Sequence, residues 1–182
     1  GLGGGSMNAA SLINFFINKK ILKLKKNELI KLTRQIGSDV ILGIKPSNII
    51  LSSSGKIKRY NKNIKFHTLV VKPSFGCSTK HVFLKVKSFS KSQFNPPKQK
   101  MFRAEYLETL NNDLEKIVFN KYPKLKKIKL FLSTMPNNIL VRMSGSGSSI
   151  VAYFHSKRAC GKAYAQFKRK YNSYWCITSK TI

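Results

Sequence analysis

The chain opens with the stretch Gly1-Leu2-Gly3-Gly4-Gly5-Ser6, and an apolar pattern with helical spacing begins at Asn8. Glycines let a phosphate group approach the backbone closely, and the first turn of a helix offers free N–H groups and a positive dipole end. The Gly-Lys-Ser/Thr ending of the common phosphate loop is absent, and the spacing differs from the dinucleotide fingerprint. A flexible tag is the alternative interpretation. The unbroken start of the helix favours a phosphate-binding loop.

A second run of small residues, Ser144-Gly145-Ser146-Gly147-Ser148, lies between two apolar segments that predict β-strands. Taken alone, the run is most simply a hairpin turn, because glycine and serine are ordinary turn residues. Two such loops in a chain of 182 residues shift the interpretation toward a site that grips phosphates from two sides.

Hydrophobic periodicity along the chain predicts a mixed α+β protein. Segments with helical spacing are 8–20, 27–36, 101–110, 113–121, 123–132 and 157–170. Segments with the pattern of strands are 49–51, 57–60, 66–72, 139–143, 150–154 and 174–178, the first two forming a hairpin. The serines, lysines and prolines of 88–100 predict a loop. A domain boundary is predicted near residue 62.

The formal net charge is +29, from 35 basic and six acidic residues. Such a balance is typical of nucleic-acid-binding proteins, since basic side chains displace counterions from phosphate backbones. However, only six of the basic residues are arginines, and arginine is the favoured residue for bidentate contacts to bases and phosphates. The lysines are spread along the chain. We therefore expect no nucleic-acid partner, and a basic nucleic-acid-binding protein stays open as the non-enzyme alternative.

Membrane and metal partners are not indicated by the sequence. No apolar stretch approaches the length of a membrane-spanning helix. The three cysteines are odd in number and widely spaced, and with the three histidines they form neither a disulfide nor a zinc pattern. A reducing, cytoplasmic setting is expected.

Asp39 is the most informative of the six acidic residues, because it lies alone among apolar neighbours in Ile36-Gly37-Ser38-Asp39-Val40. The pattern places it at the C-terminal end of the helix 27–36, where a negative charge opposes the helix dipole. A catalytic acid/base or a magnesium ligand is one interpretation, and a turn-forming aspartate after glycine is the other. Asp113 and Glu115 are predicted to serve the N-cap and first turn of a helix, which is a structural role.

Taken in order, five segments resemble the GHMP family of small-molecule kinases. They are the ATP-phosphate loop at 1–10, the segment of the catalytic aspartate at 36–40, a substrate-side segment at 73–83, a further recurring segment at 112–115, and the third, glycine-rich motif at 143–147. The resemblance spans essentially the whole chain. Five segments in the family's order are far more specific than any one of them.

The resemblance implies a two-domain kinase. A partial, ribosomal-protein-S5-like ATP-binding domain is expected at 1–62, and an α/β-sandwich (ferredoxin-like) C-terminal domain at 63–182. It implies transfer of a phosphoryl group from ATP, with Mg²⁺ bridging the phosphates, to a hydroxyl of a diphosphocytidyl-linked methylerythritol in isoprenoid precursor synthesis. Another family member, acting on mevalonate or homoserine, is the enzyme alternative.

Individual roles follow from the resemblance. Asp39 is the expected catalytic residue, and the substrate is expected to contact Pro73, Thr79 and Phe83. The expected ATP-phosphate residues are Gly1, Gly3, Gly4, Gly5, Ser6, Asn8, Ser144, Gly145, Ser146 and Gly147.

Two departures from the family pattern stand out. Met7 occupies the position of a usual second serine. The family's leading segment, with an active-site lysine and asparagine, is absent, so the chain is expected to be a fragment that is a poor catalyst alone.

Overall fold

The structure, a computed structural model, describes residues 2–52, 56–60 and 64–181. The chain divides into two compact units, Leu2–Asn61 and Lys62–Ile182. In the part that is described, no helix has both the length and the apolar character needed to cross a membrane. The assignment of the two units to the two expected kinase domains stays a prediction.

The first unit consists of helices and one hairpin: α1 (Gly4–Asn18), α2 (Lys26–Ile36), α3 (Val40–Ile44), β1 (Asn48–Leu51) and β2 (Ile57–Tyr60). The two strands are antiparallel, with Asn48 opposite Tyr60, which confirms the predicted hairpin. Part of its connecting turn, residues 53–55, lies outside the described residues.

The core of the first unit forms where α1 packs against α3. Ala10, Ile13 and Val40 are at most 5% exposed and make one apolar cluster. Gly43 permits this close packing, because a Cβ added there would lie 2.8 Å from the Cβ of Ala10 and 2.9 Å from the Sδ of Met7. A glycine inside a helix has a cost in stability, and here close packing explains it.

The second unit contains four strands and five helices among the described residues. They are β3 (His67–Lys72), α4 (Thr79–Leu84), α5 (Ala104–Thr109), α6 (Leu114–Lys121), α7 (Pro123–Ser133), β4 (Asn138–Met143), β5 (Ile150–Phe154), α8 (Lys157–Lys170) and β6 (Trp175–Lys180). A 3₁₀ turn, Gln99–Phe102, precedes α5.

The four strands form one antiparallel sheet in the order β4-β5-β3-β6. The chain therefore runs strand, helices, strand, strand, helix, strand, which is the ferredoxin-like arrangement. This confirms the ferredoxin-like fold that was predicted for residues 63–182. The helices cover a core in which Leu69, Leu125, Leu132, Phe154 and Phe167 are fully buried.

Most of the predicted elements are present, and the differences have physical causes. Helix α1 begins at Gly4, inside the glycine run, rather than at Asn8. The short helices α3 and α4 were not predicted, because five or six residues are too few to show a helical period. The predicted loop contains no helix or strand before Gln99.

Candidate active site

The first glycine loop leads directly into α1. Gly3, with φ of 66°, precedes the helix, and the N–H of Met7 makes the first helical hydrogen bond, to the carbonyl oxygen of Gly3 at 2.9 Å. The N–H groups of Gly4, Gly5 and Ser6 come before that bond and have no partner among the described residues. They form an accessible group of donors at the positive end of a helix.

Two further residues of this segment, Gly1 and Asn8, are expected to bind phosphate. Asn8 is exposed in the second turn of α1, and Gly1 lies outside the described residues. The unusual Met7 turns its sulfur toward Gly43 of α3. The methionine therefore packs against a neighbouring helix of the same unit.

Asp39 does not lie at the C-terminal end of a helix, and this part of the prediction is wrong. Helix α2 ends at Ile36, and a new helix begins at Val40, so Asp39 occupies the N-cap position of α3. A negative charge at that end is favourable. The carboxylate is exposed and accepts a hydrogen bond from the hydroxyl of Ser38 at 3.2 Å. The turn geometry is confirmed, and the catalytic role stays a prediction.

The opposite end of α3 is held by side chains from two neighbouring elements. The guanidinium of Arg59, on β2, donates to the carbonyl oxygens of Ile41 at 2.6 Å and Leu42 at 3.4 Å. The amide of Asn14, on α1, donates to the carbonyl oxygen of Ile44 at 3.0 Å. Burial lowers the pKa of Arg59. These contacts fix the short helix that begins after Asp39.

The second glycine loop joins β4 to β5. The N–H of Ser144 donates to the carbonyl of Ser149 at 2.9 Å, and the N–H of Gly147 donates to the carbonyl of Ser144 at 3.0 Å. Gly147 has φ of 84°, and a Cβ there would lie 2.9 Å from the Sδ of Met143. Backbone conformation and packing therefore both require glycine at this position.

The structure brings one expected substrate residue against this loop. The hydroxyl oxygens of Thr79 and Ser146 are 2.8 Å apart and share a hydrogen bond. Thr79 is the first residue of α4, and the preceding Ser78 caps that helix by accepting a hydrogen bond from the N–H of His81 at 3.3 Å. Ser146 is only 7% exposed. The segment expected to bind substrate and the second glycine loop thus meet through their side chains.

Phe83 and Pro73 have different environments. Phe83 lies four residues after Thr79 on α4, so the two share a face of the helix. Its ring is 49% exposed and is available for stacking. Pro73 follows β3 directly and is buried. A structural role in ending the strand explains a proline at this position, and it does so equally well as the expected substrate contact.

Asn112 supports the second loop, a role that the sequence did not show. Its side-chain amide donates to the carbonyl oxygens of Met143 at 3.0 Å and Gly145 at 2.8 Å. Its Oδ1 accepts from the N–H of Leu114 at 3.0 Å and thereby caps α6. The capping role is a local signal that a sequence can show, whereas the contact with β4 depends on the tertiary fold.

The acidic residues beside Asn112 have structural partners. Asp113 occupies the N-cap position of α6, as predicted, but its carboxylate accepts from the N–H and hydroxyl of Ser90 instead of capping the helix. Glu115 lies in the first turn, is buried, accepts from the N–H of Met143 at 2.7 Å and forms an ion pair with Lys129. The predicted structural role of both residues is confirmed.

The three cysteines are held mainly in the thiol form. Burial raises the pKa of Cys77, Cys160 and Cys176, so the reactive thiolate form is disfavoured. Among the residues that the structure describes, no three His, Cys, Asp or Glu side chains are grouped so that they could hold a metal ion.

A groove of about 1230 Å³ lies in the first unit, and none of the expected phosphate residues lines it. Apolar and basic side chains both line it, among them those of Leu29, Ile41, Lys45 and Arg59. Asp39 does not line it. Ser38, whose hydroxyl donates to the Asp39 carboxylate, does line it, so the groove adjoins the candidate catalytic residue.

Comparison with known proteins points to one family. Residues 87–173 match the sequence model of GHMP kinases C terminal. The chain is 67% identical over 182 residues to a 4-diphosphocytidyl-2-C-methyl-D-erythritol kinase of Pelagibacter ubique, covering 100% of this chain and 65% of the relative. A kinase of the same name from Clostridium novyi is 32% identical, over 94% of this chain and 64% of the relative. The chain thus spans just under two thirds of these relatives' length.

Solved structures agree with this fold. A crystal structure of 4-(cytidine 5'-diphospho)-2C-methyl-D-erythritol kinase matches 99% of this chain and 66% of its own, with a TM-score of 0.80 and 21% identity. A homoserine kinase from Cytophaga hutchinsonii matches 88% of this chain and 58% of its own, with a TM-score of 0.60 and 13% identity. At these identities the likeness shows the fold, which is the GHMP-kinase fold that was predicted.

Proposed function

The chain belongs to the GHMP kinase family, and we propose that it carries the larger part of an ATP-dependent kinase. The proposed substrate is 4-diphosphocytidyl-2-C-methyl-D-erythritol, whose hydroxyl receives the γ-phosphoryl group in isoprenoid precursor synthesis. The observation that supports this most strongly is the 67% identity, over all 182 residues, with a relative of that name. Because the chain spans 65% of that relative, catalysis is proposed for the protein that also contains the remaining length.

In the proposed mechanism, the two glycine loops bind the phosphates of ATP. The N–H groups of Gly4, Gly5 and Ser6 have no partner among the described residues, and they lie at the positive end of α1. The second loop adds Ser144, Gly145, Ser146 and Gly147. Phosphoryl transfer depends mainly on positioning and on neutralising charge, and donors of this kind supply both.

Asp39 is the proposed group that orients or deprotonates the attacking hydroxyl. Its carboxylate is exposed and is therefore accessible to a substrate. The helix that follows it is held at its far end by Arg59 and Asn14, so the backbone at Asp39 has a rigid support. A fixed carboxylate is suited to aligning a hydroxyl for in-line attack.

Mg²⁺ is the proposed metal, brought to the site with ATP. Proteins hold Mg²⁺ through one or two side-chain oxygens together with substrate phosphates. The Ser6 hydroxyl and the Asp39 carboxylate, both in the first unit, are oxygen donors of this type. The ion would neutralise negative charge on the phosphates.

Thr79 and Phe83 are the proposed contacts for the cytidine end of the substrate, together with Pro73. The exposed ring of Phe83 offers a stacking surface for a nucleobase, whereas mevalonate and homoserine contain no nucleobase.

A cytoplasmic location and the absence of a nucleic-acid partner stay predictions that rest on the cysteine pattern and on the scarcity of arginine.

The test is an activity assay on a chimera in which the Pelagibacter relative supplies the part that this chain leaves uncovered. We expect ATP-dependent phosphorylation of the diphosphocytidyl substrate, measured as transfer of radiolabelled γ-phosphate. Asp39→Asn should lower kcat by roughly 100-fold or more, since general acid–base groups contribute that much. Full activity in Asp39→Asn would exclude the proposed role of Asp39, and an inactive parent chimera would contradict the proposed function.

A further inference from the structure

We propose that Asn112 is a positioning residue, which orients the backbone of the second glycine loop so that the N–H of Ser146 binds a phosphate oxygen of ATP. The inference rests on the proposed function, because it assigns a ligand to that loop. It goes further in naming the donor and the side chain that aims it.

The first step concerns the peptide that joins Gly145 to Ser146. Its carbonyl oxygen accepts from the amide of Asn112 at 2.8 Å. In a trans peptide the C=O and N–H groups point in opposite directions, and this bond is not among the cis peptides of the described residues. Fixing the carbonyl of Gly145 on Asn112 therefore directs the N–H of Ser146 to the opposite side.

The second step concerns the partner of that N–H. Ser146 is 7% exposed, and in the described parts of the chain its N–H donates to no hydrogen bond. A buried donor without a partner costs free energy. A ligand oxygen would remove that cost, and an anionic phosphate oxygen is the strongest acceptor that the proposed substrates offer.

A third contact prevents the loop from rotating to find another partner. The Ser146 side chain is tied to Thr79 through the shared hydrogen bond of 2.8 Å. The carbonyl before Ser146 and the side chain of Ser146 are therefore both fixed. The N–H is then left as a fixed donor that has no partner among the described residues.

The chemistry of the side chain explains why the position is asparagine. One side chain must donate to the carbonyls of Met143 and Gly145 and accept from the N–H of Leu114. An amide can do all three, whereas a carboxylate has no hydrogen to donate. The charged neighbours Asp113 and Glu115 are already occupied by Ser90 and Lys129.

The test compares Asn112→Ser with a matched control, Asn138→Ser, in the active chimera. Asn138 lies at the other end of β4, and its amide also bridges two carbonyls, those of Ser133 at 3.0 Å and Met135 at 2.6 Å. We expect Asn112→Ser to raise the KM for ATP about tenfold, the effect of one or two hydrogen bonds. The KM for the diphosphocytidyl substrate should be unchanged. Asn138→Ser should change neither constant.

A second measurement needs no variant. In ¹H–¹⁵N spectra of this chain, sodium tripolyphosphate should shift the amide signal of Ser146 by more than that of Met143, whose N–H already donates to the carboxylate of Glu115. An unshifted Ser146 signal would overturn the inference. So would an Asn112→Ser variant that keeps the parent KM for ATP, or one in which both KM values rise equally. If the parent chimera is active and any of these results is found, only the inference about Asn112 and Ser146 fails and the proposed function still stands. An inactive parent chimera would contradict the proposed function itself.

Discussion

At the scale of single residues, Gly147 shows how the second loop depends on one missing side chain. Its φ of 84° is in the left-handed region, and an added Cβ would meet the buried sulfur of Met143 at 2.9 Å. We expect Gly147→Ala to lower the free energy of unfolding by roughly 2 kcal/mol, from backbone strain and the clash. Urea unfolding followed by circular dichroism measures the change.

Gly161→Ala is the matched control for this prediction. Gly161 lies inside α8, and a Cβ there would contact nothing within 4 Å. Since alanine favours a helix over glycine by about 1 kcal/mol, this variant should be more stable than the parent. A Gly147→Ala variant as stable as the parent would show that the loop conformation does not require glycine.

Asp39 illustrates what a sequence can and cannot show about a residue. The isolation of one carboxylate among apolar neighbours was enough to single it out. Its place at the beginning of a helix was not predicted, because the five residues of α3 are too few to show a helical period. The contact of Asn112 with Met143 and the Thr79–Ser146 pair each join residues that are more than 30 positions apart. Local sequence patterns cannot predict such pairs.

At the scale of elements, α3 is a helix that cannot be stable by itself. It has five residues, and an isolated helix of that length is unstable in water. Arg59 replaces some of the missing support by donating to its carbonyl groups. We therefore expect Arg59→Gln to reduce the free energy of unfolding by about 2 kcal/mol. This is the usual effect of removing a charged donor and leaving its partly buried acceptors without a hydrogen bond.

Hydrogen exchange tests the same prediction locally. In Arg59→Gln, the amides of residues 40–44 should exchange faster than in the parent, while those of α8 should not change. Arg34→Gln serves as the control, because Arg34 is exposed on α2 and surface substitutions usually change stability by less than about 0.5 kcal/mol. Equal exchange of α3 in all three proteins would contradict a supporting role for Arg59.

The longer elements were predictable because each carries a full pattern of its own. Helix α8 spans Lys157–Lys170 and β5 spans Ile150–Phe154, both as predicted from their spacing. Helix α4 was missed because its six residues are too few to show a helical period, although Ser78 caps it. The sheet order could not be derived from the strands, since it depends on pairings such as Val70 with Ile177 across the whole second unit.

At the scale of the whole molecule, the charge supports ligands rich in phosphate. Several of the six acidic side chains have structural partners, as Glu28, Asp113 and Glu115 show. They neutralise little of the charge of 35 lysines and arginines. The resulting positive field favours the approach of polyphosphate substrates, which agrees with a kinase whose two proposed substrates both contain a diphosphate.

The central claim is the choice of substrate, and one comparison tests it most directly. The catalytic efficiency, kcat/KM, of the chimera is measured for 4-diphosphocytidyl-2-C-methyl-D-erythritol, homoserine and mevalonate, each with saturating ATP. We expect the diphosphocytidyl compound to be preferred by at least about 1000-fold, since the smaller alcohols cannot satisfy polar and stacking groups arranged for a nucleotide. Equal or greater efficiency with homoserine or mevalonate would contradict the account.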